Sequence, residues 1–177
     1  MARKITERLS NEKAFTLIEV IVSLVLAGIM AAIVGLGLVK ITQGYVFAKQ
    51  NSETVQKAQI AMTRIVKELG AATSISAATL PTPTSVTYTR PVSVTNTISI
   101  SGGLVQMSGT ISGTIINNVV TTGSFSKFEY FNATGSSVTP SATTVPTIRR
   151  IDVTLRITGA NNQTSDFTNS VWINESY

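Results

Sequence analysis

An apolar segment at residues 15–39 constrains this chain more than any other feature of its sequence. The segment has 25 residues and one charged side chain, Glu19, and a helix needs about 20 apolar residues to cross a bilayer. A charge inside a membrane helix costs roughly 2.5–3.5 kcal/mol on insertion scales. The segment therefore predicts a membrane-spanning helix in which Glu19 needs a partner.

The charges around this segment predict its orientation. Four basic residues crowd residues 1–14, and few basic residues follow the segment closely. By the positive-inside rule the N-terminus is cytoplasmic, and the rest of the chain is periplasmic or extracellular. A secretory signal peptide fits less well, because its apolar core has only about 7–15 residues.

Residues 40–70 continue the helical pattern with one apolar face. Their apolar residues recur every three or four positions, as in an amphipathic helix: Val55, Ala58, Met62, Ile65, Val66 and Leu69. No proline occurs between Met1 and Leu80, and Gly70 suits a helix C-cap. We expect one helix from Phe15 to about Leu69.

Two ion pairs are expected on this stem. Glu53 precedes Lys57 by four residues, and Arg64 precedes Glu68 by the same interval. Side chains at this spacing are neighbours on a helix surface. We therefore expect Glu53–Lys57 and Arg64–Glu68 contacts along it.

Residues 71–177 are rich in Thr, Ser, Val, Ile, Gly and Asn and show β-strand alternation. The clearest strand is "IRRIDVTLRI", which the stretch "TSDFTNSVWI" follows as its partner after a turn. Another predicted strand has four apolar residues on one face: Val92, Val94, Ile98 and Ile100. We expect a loop at Asn132–Thr147 and Trp172 in the core. The predicted fold is α+β, with the long helix packed on an antiparallel sheet.

Composition excludes several kinds of function. The chain has no cysteine and no histidine, which removes thiolate chemistry and the commonest general base. It has no phosphate-binding loop and no clustered oxygen ligands, since Asp152 and Asp166 are the only aspartates after residue 70. Residues 71–177 are nearly neutral, which argues against nucleic-acid binding. We expect no enzyme activity, no cofactor and no metal.

The stretch "AFTLIEVIVSLVLAGIMAAIV" resembles the class III signal of type IV pilins and type II secretion pseudopilins. In that family a basic leader precedes Phe-Thr-Leu-Ile-Glu, here Phe15, Thr16, Leu17, Ile18 and Glu19, and an apolar helix follows. Later segments, among them "QKAQIAMTRIVKELG" and "IRRIDVTLRI", resemble the J-type pseudopilin and W-type minor pilin group. The resemblance implies a pilin fold and a minor structural subunit.

The resemblance also implies how the chain is processed. A prepilin peptidase would cut between Ala14 and Phe15 and methylate the new amine of Phe15. Residues 1–14 would be a cleaved leader, residues 15–39 the membrane and filament-core helix, residues 40–70 the stem, and residues 71–177 the head. Glu19 would then pair with the Phe15 amine of its own or a neighbouring subunit.

Two departures from the family pattern bear on the role. Ala14 stands where the family usually has glycine, and no proline lies near Leu36, where major pilins commonly carry one. The second departure favours a minor subunit in a tip or initiation complex. Its implied partners are the inner membrane, other pilin-like subunits, the peptidase and, indirectly, an assembly platform and motor ATPase. A major subunit, a competence pilin and a membrane-anchored adhesin remain alternatives.

Overall fold

The computed structural model describes residues 15–91 and 93–173. Its dominant element is one 54-residue helix, α1, at Leu17–Gly70, which confirms the predicted long helix. The helix begins two residues later than we predicted. The chain divides into two compact units, Met1–Val46 and Phe47–Tyr177, and α1 contributes to both.

In the first unit, every described residue up to Val46 is exposed to solvent. Leu17 and Leu36, for example, expose 79% and 72% of their surface. By length and composition α1 could cross a membrane. A helix that is apolar on all sides requires lipid or other helices around it.

In the second unit, the stem part of α1 buries one face against the β-strands. Its buried residues recur at helical spacing: Ala58, Ala61, Met62, Ile65 and Leu69. Four of these belong to the predicted apolar face, and its other members, Val55 and Val66, are half-buried. Ala61 was not predicted. The core of the head thus forms on the stem, as the pattern indicated.

Eight antiparallel strands lie in the described part of the head: β1 Ser74–Ile75, β2 Ser85–Arg90, β3 Val94–Ser101, β4 Leu104–Gly109, β5 Gly113–Ile116, β6 Lys127–Asn132, β7 Ile148–Thr158 and β8 Thr164–Trp172. They form two sheets, one in the order β1-β2-β3-β4-β5 and one in the order β6-β7-β8. The α+β class is confirmed. The expectation of a single sheet is wrong. The alternation of apolar and polar residues predicts strands but does not say whether they form one sheet or two.

The β7–β8 hairpin has the predicted strands and turn. Ile151, Val153, Leu155 and Ile157 are all buried, as predicted from their alternation. The register runs from Arg150 opposite Trp172 to Thr158 opposite Thr164. The predicted β3 is also present, with Ile98 and Ile100 buried, while Val92 lies outside the described residues.

Short hydrogen bonds join the two sheets. The Phe128 N–H of β6 donates to the Pro83 carbonyl at 2.7 Å, just before β2. The Tyr130 hydroxyl donates to the Thr82 carbonyl at 2.8 Å. On β7, the Arg156 carbonyl accepts from the Val120 N–H at 2.8 Å, shortly after β5. The sheets therefore share backbone partners as well as a core.

Residues 133–144 lie outside the strands and form an ordered loop. The Asn132 side-chain oxygen accepts from the backbone N–H groups of Thr134 and Ser136, at 3.1 and 2.9 Å. Val145 begins a short 3-10 helix and is buried. The predicted loop thus has its own hydrogen bonds and an apolar anchor.

Trp172 is not in the core, contrary to our prediction, and 59% of its surface is exposed. The alternation of β8 places Val171 inward instead. Trp172 lies beside Arg150, whose guanidinium is 4.2 Å from the centre of the Phe131 ring and 5.8 Å from that of Trp172. The three residues form a row across β6, β7 and β8.

The stem's ion pairs differ from those predicted. Glu68 is 3.3 Å from Arg90 of β2, and its carboxylate also accepts from the Tyr88 hydroxyl at 3.1 Å. Glu53 lies 4.0 Å from Lys49, one turn earlier. Strand β2 thus supplies both a guanidinium and a hydroxyl to Glu68, whereas the helix surface would supply only Arg64.

Tyr88 and Tyr130 are both buried, and their burial predicts a loss of stability at alkaline pH. Burial raises the pKa of both Tyr88 and Tyr130, and the Glu68 carboxylate raises that of Tyr88 further. Above the usual tyrosine pKa of about 10, the unfolded chain loses these protons while the folded chain keeps them. The free energy of unfolding should fall by up to about 1.4 kcal/mol per pH unit for each tyrosine.

Urea unfolding of the detergent-solubilised chain between about pH 9 and pH 11 measures this slope. A Tyr130→Phe variant should show a shallower slope, because it removes one of the two protons. An unchanged slope in that variant would contradict our attribution of part of the alkaline loss of stability to Tyr130.

Candidate assembly site at the helix N-terminus

The start of α1 is defined by a side-chain cap. The Glu19 backbone N–H donates to the Thr16 hydroxyl at 3.3 Å, and the Val20 N–H donates to the Thr16 carbonyl at 3.2 Å. Thr16 is therefore the N-cap, and Glu19 is the third helical residue. The cap satisfies one of the amide groups that a helix N-terminus leaves without an internal partner.

Glu19 lies where a carboxylate favours the helix. It is the acidic residue of the first turn of α1, where the positive end of the helix dipole stabilises a negative charge. Its own carbonyl accepts a hydrogen bond from the Ser23 hydroxyl. Within the described part of the chain, the Glu19 carboxylate has no ion-pair partner. It is exposed and available to a cation from outside.

The residues before the cap complete the candidate site. Phe15 exposes 74% of its surface, and Leu17 and Ile18 are also exposed. Phe15 precedes Glu19 by four residues, a separation of about one helical turn in sequence. Ala14 and the predicted cleavage point before Phe15 fall outside the described residues.

Sequence reasoning missed the role of Thr16. We treated it only as part of the signal motif, whereas it caps α1. The signal was present, because Thr followed three residues later by Glu before an apolar run is the sequence pattern of a capping box. Glu19 therefore has a local role in starting the helix, besides any role in assembly.

Other candidate chemistry does not gather at one place. In residues 15–91 and 93–173, no three acidic side chains come together as a possible metal site. Asp152 is paired with Arg150 at 3.0 Å, and Asp166 is paired with Arg156 at 2.6 Å. The Arg156 guanidinium holds the pKa of Asp166 below its usual value.

The fold and this site together define a class: a chain with one exposed apolar helix, a capped and acidic helix start, and an α+β head. A family model, the prokaryotic N-terminal methylation motif, matches residues 9–35. This motif corresponds to the class III signal peptide. The match therefore supports the resemblance of the chain to the type IV pilin and pseudopilin family. No curated protein and no solved structure matches the chain significantly.

Proposed function

We propose that this chain is a structural subunit of a type IV pilus or a type II secretion pseudopilus. One observation carries the proposal: an apolar helix segment, exposed on every side up to Val46, begins inside a matched N-terminal methylation motif. In such a subunit lipid covers the segment before assembly and neighbouring helices cover it afterwards. The motif indicates a structural subunit rather than an enzyme.

The first step is cleavage between Ala14 and Phe15 by a prepilin peptidase, followed by methylation of the Phe15 amine. Cleavage creates a cation, because an α-amine has a pKa near 8. Glu19 would be its partner. Its carboxylate lies near enough in sequence to meet the amine of its own chain, and it is exposed to meet that of a neighbour.

The pairing explains why a carboxylate is retained in an apolar segment. In a low-dielectric filament core an unpaired charge is costly, and a paired one is much less so. A subunit therefore packs most favourably at the position along its neighbour where Glu19 pairs with a Phe15 amine. Glu19 in this proposal sets the position of each subunit along the filament.

Within this class we assign the chain to the minor subunits, near the filament tip, in the J-type group. The absence of proline throughout α1 supports this assignment, since major subunits of the family commonly carry one there. The chain would wait in the inner membrane with its head outside. Its other partners would be pilin-like subunits, the assembly platform and, through it, the motor ATPase.

Mass spectrometry of the protein from a membrane fraction tests the proposal. We expect the chain to begin at Phe15, with one added methyl group on its amine. An Ala14→Gly variant provides the matched control, because it restores the residue usual in the family and should be cleaved at least as completely. A full-length chain in both samples would contradict the proposal and leave Glu19 without its amine.

A further inference from the structure

The sheet formed by β6, β7 and β8 has an outward face opposite its buried one. On β7, buried residues alternate with half-buried ones from Arg150 to Arg156. The residues directly opposite these half-buried ones on the neighbouring strands lie on the same face. We call this surface the outer sheet face, and its members are Lys127, Glu129, Phe131, Arg150, Asp152, Thr154, Arg156, Asp166, Thr168, Ser170 and Trp172.

The charges of the outer sheet face cancel. Each of its three cations lies in an ion pair with one of its three carboxylates: Lys127–Glu129 at 2.8 Å, Arg150–Asp152 at 3.0 Å and Arg156–Asp166 at 2.6 Å. A polyanion such as nucleic acid gains little attraction from a surface without net charge, and a polycation gains equally little. The electrostatics of this face therefore favour an uncharged ligand.

Aromatic rings lie at both ends of the outer sheet face. At one end Arg150 lies between Phe131 and Trp172, and Trp172 exposes 59% of its surface. At the other end the Arg156 guanidinium is 3.8 Å from the centre of the Phe125 ring, and Phe125 exposes 44% of its surface. Arg150 and Arg156 are six residues apart on β7, so these ends are separated by about 20 Å. A ligand that reaches both ends is an extended chain.

Between its aromatic ends the outer sheet face is polar. Its central rows carry carboxylates, an ammonium group and hydroxyls, and the Thr154 hydroxyl lies 3.2 Å from that of Thr168. A typical protein interface has the reverse order, with an apolar core inside a polar rim. A protein partner would have to remove water from the central ion pairs without gaining an apolar core, which is costly.

We propose that the outer sheet face binds an uncharged extracellular polysaccharide in an extended conformation. Sugar rings carry C–H groups that pack on aromatic rings, and their hydroxyls exchange hydrogen bonds with carboxylates, guanidinium groups and other hydroxyls. One sugar would pack on Trp172 and another on Phe125, while the sugars between them contact the polar rows. The glycan strands of the cell wall fit less well, because they carry charged peptides. This inference goes beyond the proposed function, since it gives the subunit a ligand outside the filament.

Titration of the full chain with cellohexaose and with chitohexaose, in a detergent without sugar groups, tests the proposal. Trp172 is the only tryptophan of the chain, so its fluorescence reports directly on the outer sheet face. We expect saturable binding of at least one of these uncharged hexasaccharides, with a change in the emission of Trp172. Acidic hexagalacturonate and cationic hexaglucosamine, which have the same number of sugars, should bind less tightly.

Calorimetric titration of variants locates the binding site. Trp172→Ala and Phe125→Ala should each weaken binding by about tenfold or more, because each removes an aromatic contact. Both rings are exposed, so the variants should keep the urea midpoint of the parent chain. Ile111→Ala is the matched control: Ile111 exposes 42% of its surface but lies between β4 and β5 of the other sheet. This variant should bind as the parent chain does.

Binding of neither uncharged hexasaccharide would overturn the proposal. Tighter binding of a charged hexasaccharide, or unchanged binding by the Trp172→Ala variant, would also overturn it. In intact cells, p-benzoylphenylalanine at position 168 should form no adduct with another protein, and such an adduct would show that this face is a protein interface instead. The titrations use the isolated chain and do not depend on assembly, so their failure would leave the proposed function in place.

Discussion

Replacing Glu19 with alanine should leave the chain in the membrane and out of the filament. Cleavage before Phe15 should continue, so the new amine would lie in the filament core without its carboxylate. Removing one partner of a buried pair costs about 3–5 kcal/mol, so the filament-to-membrane ratio should fall by at least about a hundredfold. The ratio is measured by quantifying the chain in sheared filaments and in membranes.

Glu53→Ala is the matched control. Glu53 is also an acidic residue of α1, but it is exposed on the stem, where it forms an ion pair with Lys49 at 4.0 Å. Its loss should change the ratio little, because exposed pairs contribute about 1 kcal/mol at most. Normal assembly of the Glu19→Ala variant would show that Glu19 serves α1 only as a first-turn carboxylate.

Truncating Ile65 of the stem to alanine should strongly destabilise the core that the stem shares with the head. Ile65 is completely buried, at 0% exposure, in the core between stem and strands. Shortening a fully buried isoleucine leaves a cavity and destabilises a protein by about 2–5 kcal/mol. This loss is measured by thermal or urea unfolding of the purified chain in detergent. The circular dichroism of the β-sheets reports the unfolding.

Ile60→Ala makes the same chemical change on the opposite side of the same helix. Because Ile60 is 70% exposed, its truncation should change the free energy of unfolding by less than about 0.5 kcal/mol. The pair of variants thus separates packing from helix propensity. Equal losses at both positions would mean that the stem does not hold the core.

The elements that could be predicted were those with a strong local period. The apolar run gave the start of α1 to within two residues, and the three-and-four spacing around Ile65 gave the buried face of the stem. The strict alternation of β7 gave its inward residues. At the candidate site, the matched motif covers the predicted signal, while cleavage, methylation and the pairing of Glu19 remain predictions.

What could not be predicted depended on contacts between distant residues. Glu68 pairs with Arg90 rather than with Arg64, because strand β2 brings a guanidinium and the Tyr88 hydroxyl to it. Trp172 faces outward because its position in the register of β8 puts it on the solvent side. The division into two sheets depends on where β6 pairs, which no local pattern specifies.

The hydrogen bonds between the two sheets have a consequence for how such a head can change over time. Phe128 of β6 shares a backbone bond with Pro83, which lies just before β2, and Arg156 of β7 shares one with Val120, which follows β5. Deleting either sheet together with the residues that flank it would therefore leave unpaired backbone groups beside the other. New surfaces can arise most readily at positions 133–137, the exposed part of the loop after Asn132, because changes there leave this shared framework in place.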